Sequence, residues 1–474
     1  MKKITVVLLT AAVAVPVMAQ EMVVETDTTA QATPLVLSLE DALKIALSEN
    51  VSVKVADQEV KRSEYAKKGT YAALYPQIDG SASYQRTIKK QVMYMDFDIP
   101  GMSGGGASGA DAGAASAGTD LPISDGIEVG RWNTWTTGIT ASMPLVNAQL
   151  WKSLKISGQD VELSVEKARG SRLQTVTEVK QAFYTVLLAK ESLAVFKEVY
   201  DNAVTNFKQT EMRYNAQKAS ELDYTRAKSL VASAIPNVYD SESSVFLALW
   251  QLKAVLGLDL DTEIDVSGSL TELADNMEYD IHRQDTVSLE DNSTMRQIAI
   301  QAEQLANTIK LQKAAYIPSL AVAFTYNVNA MTNDFNFSEY KWSPYSYVGI
   351  SLAIPIFSGG KRLNNVRQTQ VQYTELKLQE MNTERQLKIA IRQYLNQMET
   401  AMKSFDAASE AVVTADKAYS IASKSYNVGR STLTDLNDAQ LALTQAELNV
   451  CQTIYSFVVA KAGLEEVLGA DFID

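Results

Sequence analysis

Polar and apolar positions along the chain follow two rhythms, and the pair occurs twice. Ser38 reads as an N-cap with Asp41 at N3, and Leu39, Ala42, Leu43, Ala46 and Leu47 then recur at helical spacing. This predicts a helix running to about Leu74 and stopping at Pro76. Four short segments break the pattern with a period of two. The clearest places Leu320, Val322, Phe324, Tyr326 and Val328 against Ser319, Ala321, Ala323, Thr325 and Asn327. Val348, Ile350, Leu352 and Ile354 alternate in the same way, and fainter counterparts run from Ile78 to Tyr84 and from Trp135 to Met143. From Lys361 to about Ser425 there is neither Pro nor Gly. Leu387, Ile391, Tyr394, Met398, Met402 and Phe405 follow the 3-and-4 spacing of a coiled-coil seam. At 1.5 Å per residue such a rod is about 100 Å long. Asn147 to about Arg213 repeats it, and each rod turns and returns as a shorter helix, about 221–256 and 433–468.

The recurrence is visible residue by residue. Asn50, Ala73, Pro76 and Tyr84 return at Asn292, Ala315, Pro318 and Tyr326, an offset of 242. Tyr214, Asn215, Asp223, Leu256 and Gly257 return at Tyr426, Asn427, Asp435, Leu468 and Gly469, an offset of 212. The expected organisation is a first structural repeat over 20–257, an acidic linker over 258–291 and a second repeat over 292–474. The first copy alone carries a Gly-rich loop, 101–120, between its two strands. The linker holds eleven acids and one base, Arg283, in residues 259–291, and reads as a solvated collar without chemistry of its own.

An apolar face opposite a small polar face suits a strand between lipid and water, and on pattern alone it suits a soluble sandwich equally. The length of the clearest alternating run, about 9 to 10 residues, and the distal aromatics Trp132, Trp135, Trp342 and Tyr345, placed as an aromatic girdle, favour the barrel. Four strands cannot close one, since the smallest barrels need about eight. The chain must share a barrel with copies of itself.

Composition narrows the function. Residues 1–19 read as a secretory signal with Lys2 and Lys3, an apolar stretch and a Val17-Met18-Ala19 cleavage site. Residues 20–36 read as a loosely ordered leader. Loss of the signal's two lysines takes the net charge from −13 to about −15, which argues against nucleic acid as a partner. Cys451 is the only cysteine and reads as a buried inert thiol; His282 is the only histidine and stands alone in an acidic stretch. The usual equipment of a metal centre or catalytic triad is missing, so neither an enzyme nor a cofactor is expected. After the signal, no run of 18 apolar residues predicts a transmembrane helix.

These features together resemble the TolC family of outer-membrane efflux channels. The most specific piece is Tyr426-Asn427-Val428-Gly429-Arg430-Ser431-Thr432-Leu433-Thr434-Asp435, which is similar to the family's periplasmic tip. The Leu-Gly endings at 256–257 and 468–469 and the opening Ser38 to Leu43 also fit. The resemblance implies a mainly α fold with a small β portion, a homotrimer whose three sets of four strands form a 12-stranded transmembrane barrel continuous with a long helical barrel. It implies a duct in the outer membrane of a Gram-negative bacterium, embedded in outer-membrane lipid and extending into the periplasm. A periplasmic adaptor (membrane fusion protein) and an inner-membrane pump would dock at its tip, and the cargo would be small toxic compounds. Type I protein secretion on the same fold, or a soluble secreted coiled-coil binding protein, are the competing readings.

The tip supplies the candidate residues. Ser220 with Asp223 and Thr432 with Asp435 have capping-box spacing, which accounts for both aspartates structurally. By resemblance, Asp435 also lines the constriction and Asp223 bonds across to Tyr426. Asp438 lies one turn further on, and its counterpart in the first copy is Arg226. A structural demand shared by both copies would not reverse the charge, so Asp438 is expected in an acidic ring acting on cations, with Arg226 offsetting it. Tyr214, Asn215, Gln217, Asn427, Val428, Gly429 and Arg430 form the two turns expected to meet the adaptor. Gly429 is expected at positive φ, and Gln217, its counterpart, must either tolerate that strain or take a turn of another shape. Ser431 stands where relatives carry a basic gate residue, a role then left to Arg226 or Arg430.

Overall fold

The computed structural model describes residues 35–93, 127–274, 277 and 289–469. The expected signal, the leader as far as residue 34, the Gly-rich loop 101–120, His282 and Arg283 lie outside the described residues. In chain order the elements are β1 (Leu35–Leu37), α1 (Leu39–Glu49), α2 (Val51–Ala72), β2 (Gln77–Arg86), β3 (Gln91–Met93), β4 (Ile127–Val129), β5 (Asn133–Val146), α3 (Ala148–Asn215) and α4 (Glu221–Leu256). They continue with β6 (Ile264–Val266), α5 (Leu270–Ala274), α6 (Ser293–Ala314), β7 (Ser319–Thr332), β8 (Ser343–Ala353), α7 (Lys361–Asn427) and α8 (Leu433–Leu468). The two rods, α3 and α7, have 68 and 67 residues, and the return helices, α4 and α8, have 36 each.

One antiparallel sheet of order β2-β5-β7-β8 sits at the end of the rods. Its register gathers the apolar positions onto one face: Ile78 opposes Ala141, Ile139 opposes Tyr326, and Val322 opposes Ile350. The other face carries Ser81 opposite Gly138, Thr140 opposite Thr325, and Ala321 opposite Ser351. The apolar face stays bare, with Ile78 and Ile350 about 70% and 71% exposed. A sandwich would bury that face against a second layer.

At mid-length α1, α3, α4, α7 and α8 meet in the main core, where Val179, Val186, Leu252, Met398, Ile454 and Leu464 are fully buried. Cys451 lies in this core, and burial, with Glu191 nearby, pushes its thiol up to about 11, as an inert thiol requires. Two expectations need correction here. Leu35 and Val36 are not loose leader: β1 pairs in parallel with β6, and Leu37, Ile264 and Val266 are buried. The linker is likewise more than solvated chain, because α5 buries Leu270 against α8.

The single helix expected from Leu39 to Leu74 is two. Asn50 interrupts it at φ −58° and ψ 131°, its side-chain oxygen capping the Ser52 and Val53 amides. Its Nδ2 donates to the Val255 carbonyl at 2.6 Å. Asn292 does the same at the start of α6, capping Met295 and donating to Val467 at 2.7 Å. Each asparagine thus closes a helix N-terminus and the end of a return helix at once. Gly257 and Gly469 terminate α4 and α8 at φ 75° and 68°. A Cβ there would lie 2.6 Å from the Glu49 carbonyl oxygen or 2.2 Å from that of Asp291, so this joint requires glycine in both copies.

Candidate functional site

The tip consists of two turns with one geometry. After α3, Gln217 donates its N–H to Tyr214 at 2.9 Å and Lys218 to Arg213 at 2.7 Å. After α7, Gly429 donates to Tyr426 at 3.1 Å and Arg430 to Ser425 at 2.9 Å. Both are Schellman turns, which require a left-handed residue. Gly429 supplies it at φ 76°, and Gln217 at φ 57° is the only non-glycine residue of positive φ among the described residues. The first turn therefore keeps its shape and tolerates the strain. Gln217, Asn215, Asn427, Val428, Gly429 and Arg430 are all exposed. Tyr214 stacks on Tyr224 with centroids 5.0 Å apart.

Both caps form. The Ser220 hydroxyl accepts from the Asp223 amide at 3.1 Å and donates to its carboxylate at 2.7 Å. Asp435 accepts from the Thr432 amide at 2.9 Å, the Thr432 hydroxyl at 2.7 Å and the Ser431 hydroxyl at 3.1 Å. These bonds, the backbone N–H foremost, hold its carboxyl below the ordinary range. Ser431 is thus a third donor to the cap. Asp438 and Arg226 are exposed one turn beyond the two caps.

The expected bond from Asp223 to Tyr426 is absent. The Tyr426 hydroxyl bonds Thr210 at 2.6 Å, and both residues are buried. Tyr426 is turned toward α3 because its ring packs with Leu433, Leu436 and Ala227, while Asp223 is held by its own N-cap. The partner missing from the sequence reading is Arg213. Its Nη1 donates to the Tyr426 carbonyl at 2.7 Å and its Nη2 to the Asn427 carbonyl, closing the C-terminus of α7. The guanidinium also lies over the Tyr426 ring, 4.9 Å from its centroid. The counterpart of Arg213 at offset 212 is Ser425, so the comparison of copies that singled out Asp438 could have found it. Above the tip, half-buried Glu447 of α8 faces Glu198 of α3 and Asp416 of α7, and burial together with these like charges raises its carboxyl.

At the far end of the sheet the aromatics gather. Trp135 packs at a tilt against Tyr84, centroids 4.4 Å apart, and meets Phe337 at 5.3 Å, and Tyr340 lies 6.4 Å from Trp342. Trp132 carries Lys90 4.8 Å above its ring. Tyr345 departs from the expected girdle. It pairs with Asn327 on the polar face and accepts a hydrogen bond from that side chain at 2.9 Å.

A profile of the outer membrane efflux protein family matches residues 42–258 and 287–470. The chain belongs to this family. Outer membrane protein TolC of Vibrio cholerae is 20% identical over 342 residues, which cover 70% of this chain and 76% of the relative. The cobalt-zinc-cadmium resistance protein CzcC of Cupriavidus metallidurans is 21% identical over 311 residues, 65% of this chain and 71% of that one. The crystal structure of the Campylobacter jejuni CmeC outer membrane channel superposes with a TM-score of 0.67 at 17% identity, covering 91% of this chain and 85% of the channel. As an outer membrane efflux protein, the chain resides in the outer membrane, and its characterised relatives are channels rather than enzymes.

Proposed function

We propose that the chain is one third of a homotrimeric export duct, passing small toxic compounds from a periplasmic adaptor and inner-membrane pump to the outside. The observation that carries this reading is the four-stranded sheet, with one apolar face and with both outer strands, β2 and β8, unpaired on one edge among the described residues. An open edge in a bilayer leaves backbone groups without partners, at several kcal/mol each. Three sheets joined edge to edge make twelve strands and leave none open. The rods then extend the duct by about 100 Å into the periplasm. Exposed Val428 and Lys218 occupy the two tip turns, where an adaptor would dock. A photo-crosslinker at either position, activated in cells, should capture the adaptor together with its pump. Recovery of the trimer with no periplasmic partner would sink the docking argument, and capture of an ATP-driven exporter would favour protein secretion.

Within this reading Asp438 contributes three carboxylates to a ring at the tip, close to three Arg226 side chains. Both are exposed, as side chains acting on a passing ion must be. Asp438→Asn is expected to lower cation preference in single-channel recordings, and Arg226→Gln to raise it. Unchanged selectivity in both variants would remove the ring.

A further inference from the structure

The apolar run on β2 ends at Tyr84, and the next residue on that face is Arg86, paired with Asn133 at the rim furthest from the helices. Arg86 is exposed and lies 5.9 Å from the centroid of Phe335, whose ring lies 6.2 Å from that of Tyr84. Beneath it Tyr84, Trp135 and Trp342 wall an open cleft of about 380 Å³ on the sheet. Thr87 donates to the Trp132 carbonyl at 2.8 Å, which brings Lys90 and its cation–π contact to the same rim. Lys89, Arg131 and Lys341 stand exposed beside it. Of these five cations, only Lys90 has a carboxylate in reach among the described residues, Glu128 at 3.8 Å.

In a chain of net charge −13, a row of five cations, four of them without a carboxylate in reach among the described residues, directly above an aromatic cleft and an apolar face calls for an anionic partner with an apolar body. A phosphorylated lipid of the outer leaflet has both parts in that order: phosphate level with the cations, sugar or glycerol level with the aromatic rings, acyl chains along Ile78 and Ala82. A soluble anion would use the charge and leave the cleft and apolar face idle. We propose that this rim binds the phosphate-bearing headgroup of an outer-leaflet lipid, with Arg86 and Lys341 as its principal cations. The proposal rests on the apolar face meeting lipid.

The full-length protein, whose Asp96, Asp98, Asp111, Asp120 and Asp125 lie outside the described residues, is reconstituted in phosphatidylcholine nanodiscs. These are doped with a bisphosphorylated disaccharide glycolipid or its dephosphorylated form, and retained lipid is counted by native mass spectrometry. The wild type is expected to enrich the phosphorylated form alone, and Arg86→Gln and Lys341→Gln each to lower that enrichment about fivefold. Flotation with phosphatidylcholine vesicles tests the underlying reading separately. A protein that does not float overturns the lipid-facing sheet and this site with it. One that floats but retains both glycolipids equally, or whose variants match the wild type, overturns this site alone.

Discussion

A glutamine at φ 57° brings its Cβ against the following carbonyl, at about 1–2 kcal/mol, and Gln217 bears this strain while Gly429 does not. Replacing Gln217 by Gly removes the strain but frees the unfolded chain by about 0.5–1 kcal/mol. The expected net gain lies between about 0 and 1.5 kcal/mol, and Gly429→Gln should lose about as much. Hydrogen exchange at the Lys218 and Arg430 amides, which close the two turns, reads both. The carboxylates add a pH dependence of two signs. Asp435 is held below its ordinary 3.8, so its contribution is complete above that value and is lost as pH falls through the lower folded value. Glu447 is raised above 4.5, so its contribution is complete below that value and is lost as pH rises through the folded one. Exchange protection of the helices around Glu447 should therefore improve as pH falls toward 4.5, and Glu447→Gln should abolish the improvement. Both caps were legible in the sequence, since they depend on neighbours a few residues away, whereas for Gln217 the sequence left strain and a turn of another shape open, and only its φ of 57° decides. The Tyr426–Thr210 bond and the Arg213 clamp join residues more than 200 positions apart, and only the packed helices bring them together.

Among the elements, the joint at Asn50 was hidden because helical spacing continues through it. What breaks the helix is a demand from elsewhere, the Val255 carbonyl at the end of α4, which has no intrahelical partner. Two functions of one side chain can be separated. Asn50→Ala loses the cap and leaves that carbonyl unsatisfied, for about 2–3 kcal/mol in thermal unfolding followed by circular dichroism. Asn50→Asp keeps the capping oxygen and loses only the donor, yet sets a carboxylate against a carbonyl. It should therefore be no more stable than the alanine variant, whereas a role in capping alone would make it harmless. Strand register lies at the other extreme. The period-two pattern assigned every apolar strand position to one face because a slip by one residue would reverse them all. Tyr345 escaped this logic, since a tyrosine suits either face and only its pairing with Asn327 assigns it.

At the scale of the whole molecule, the chain carries exposed features that the proposed trimer would cover. On α4, Ile235, Tyr239, Phe246 and Trp250 form one exposed stripe, with Trp250 still 51% accessible. Between α7 and α8 runs a groove of about 910 Å³ walled by small residues, among them Ala401, Ser404, Ala407, Ala408, Ser456 and Ala460. The groove's α8 residues, Asn449 to Ala460, correspond at offset 212 to Asn237 to Ala248 of α4. Stripe and groove thus lie at one height on opposite halves of the chain. A ring of identical copies joined head to tail sets the stripe of one copy against the groove of the next, and three such contacts close it. Completing the burial of one tryptophan removes about 100 Å² of apolar surface, or about 2–3 kcal/mol per interface. Trp250→Ala should therefore leave helix content unchanged while native mass spectrometry in detergent finds monomer at concentrations where the wild type is trimeric. Ala407→Trp, at an exposed position on the α7 wall of the groove, should weaken assembly in the same way. If the stripe faced the lumen instead, Trp250→Ala would leave the trimer as stable as before.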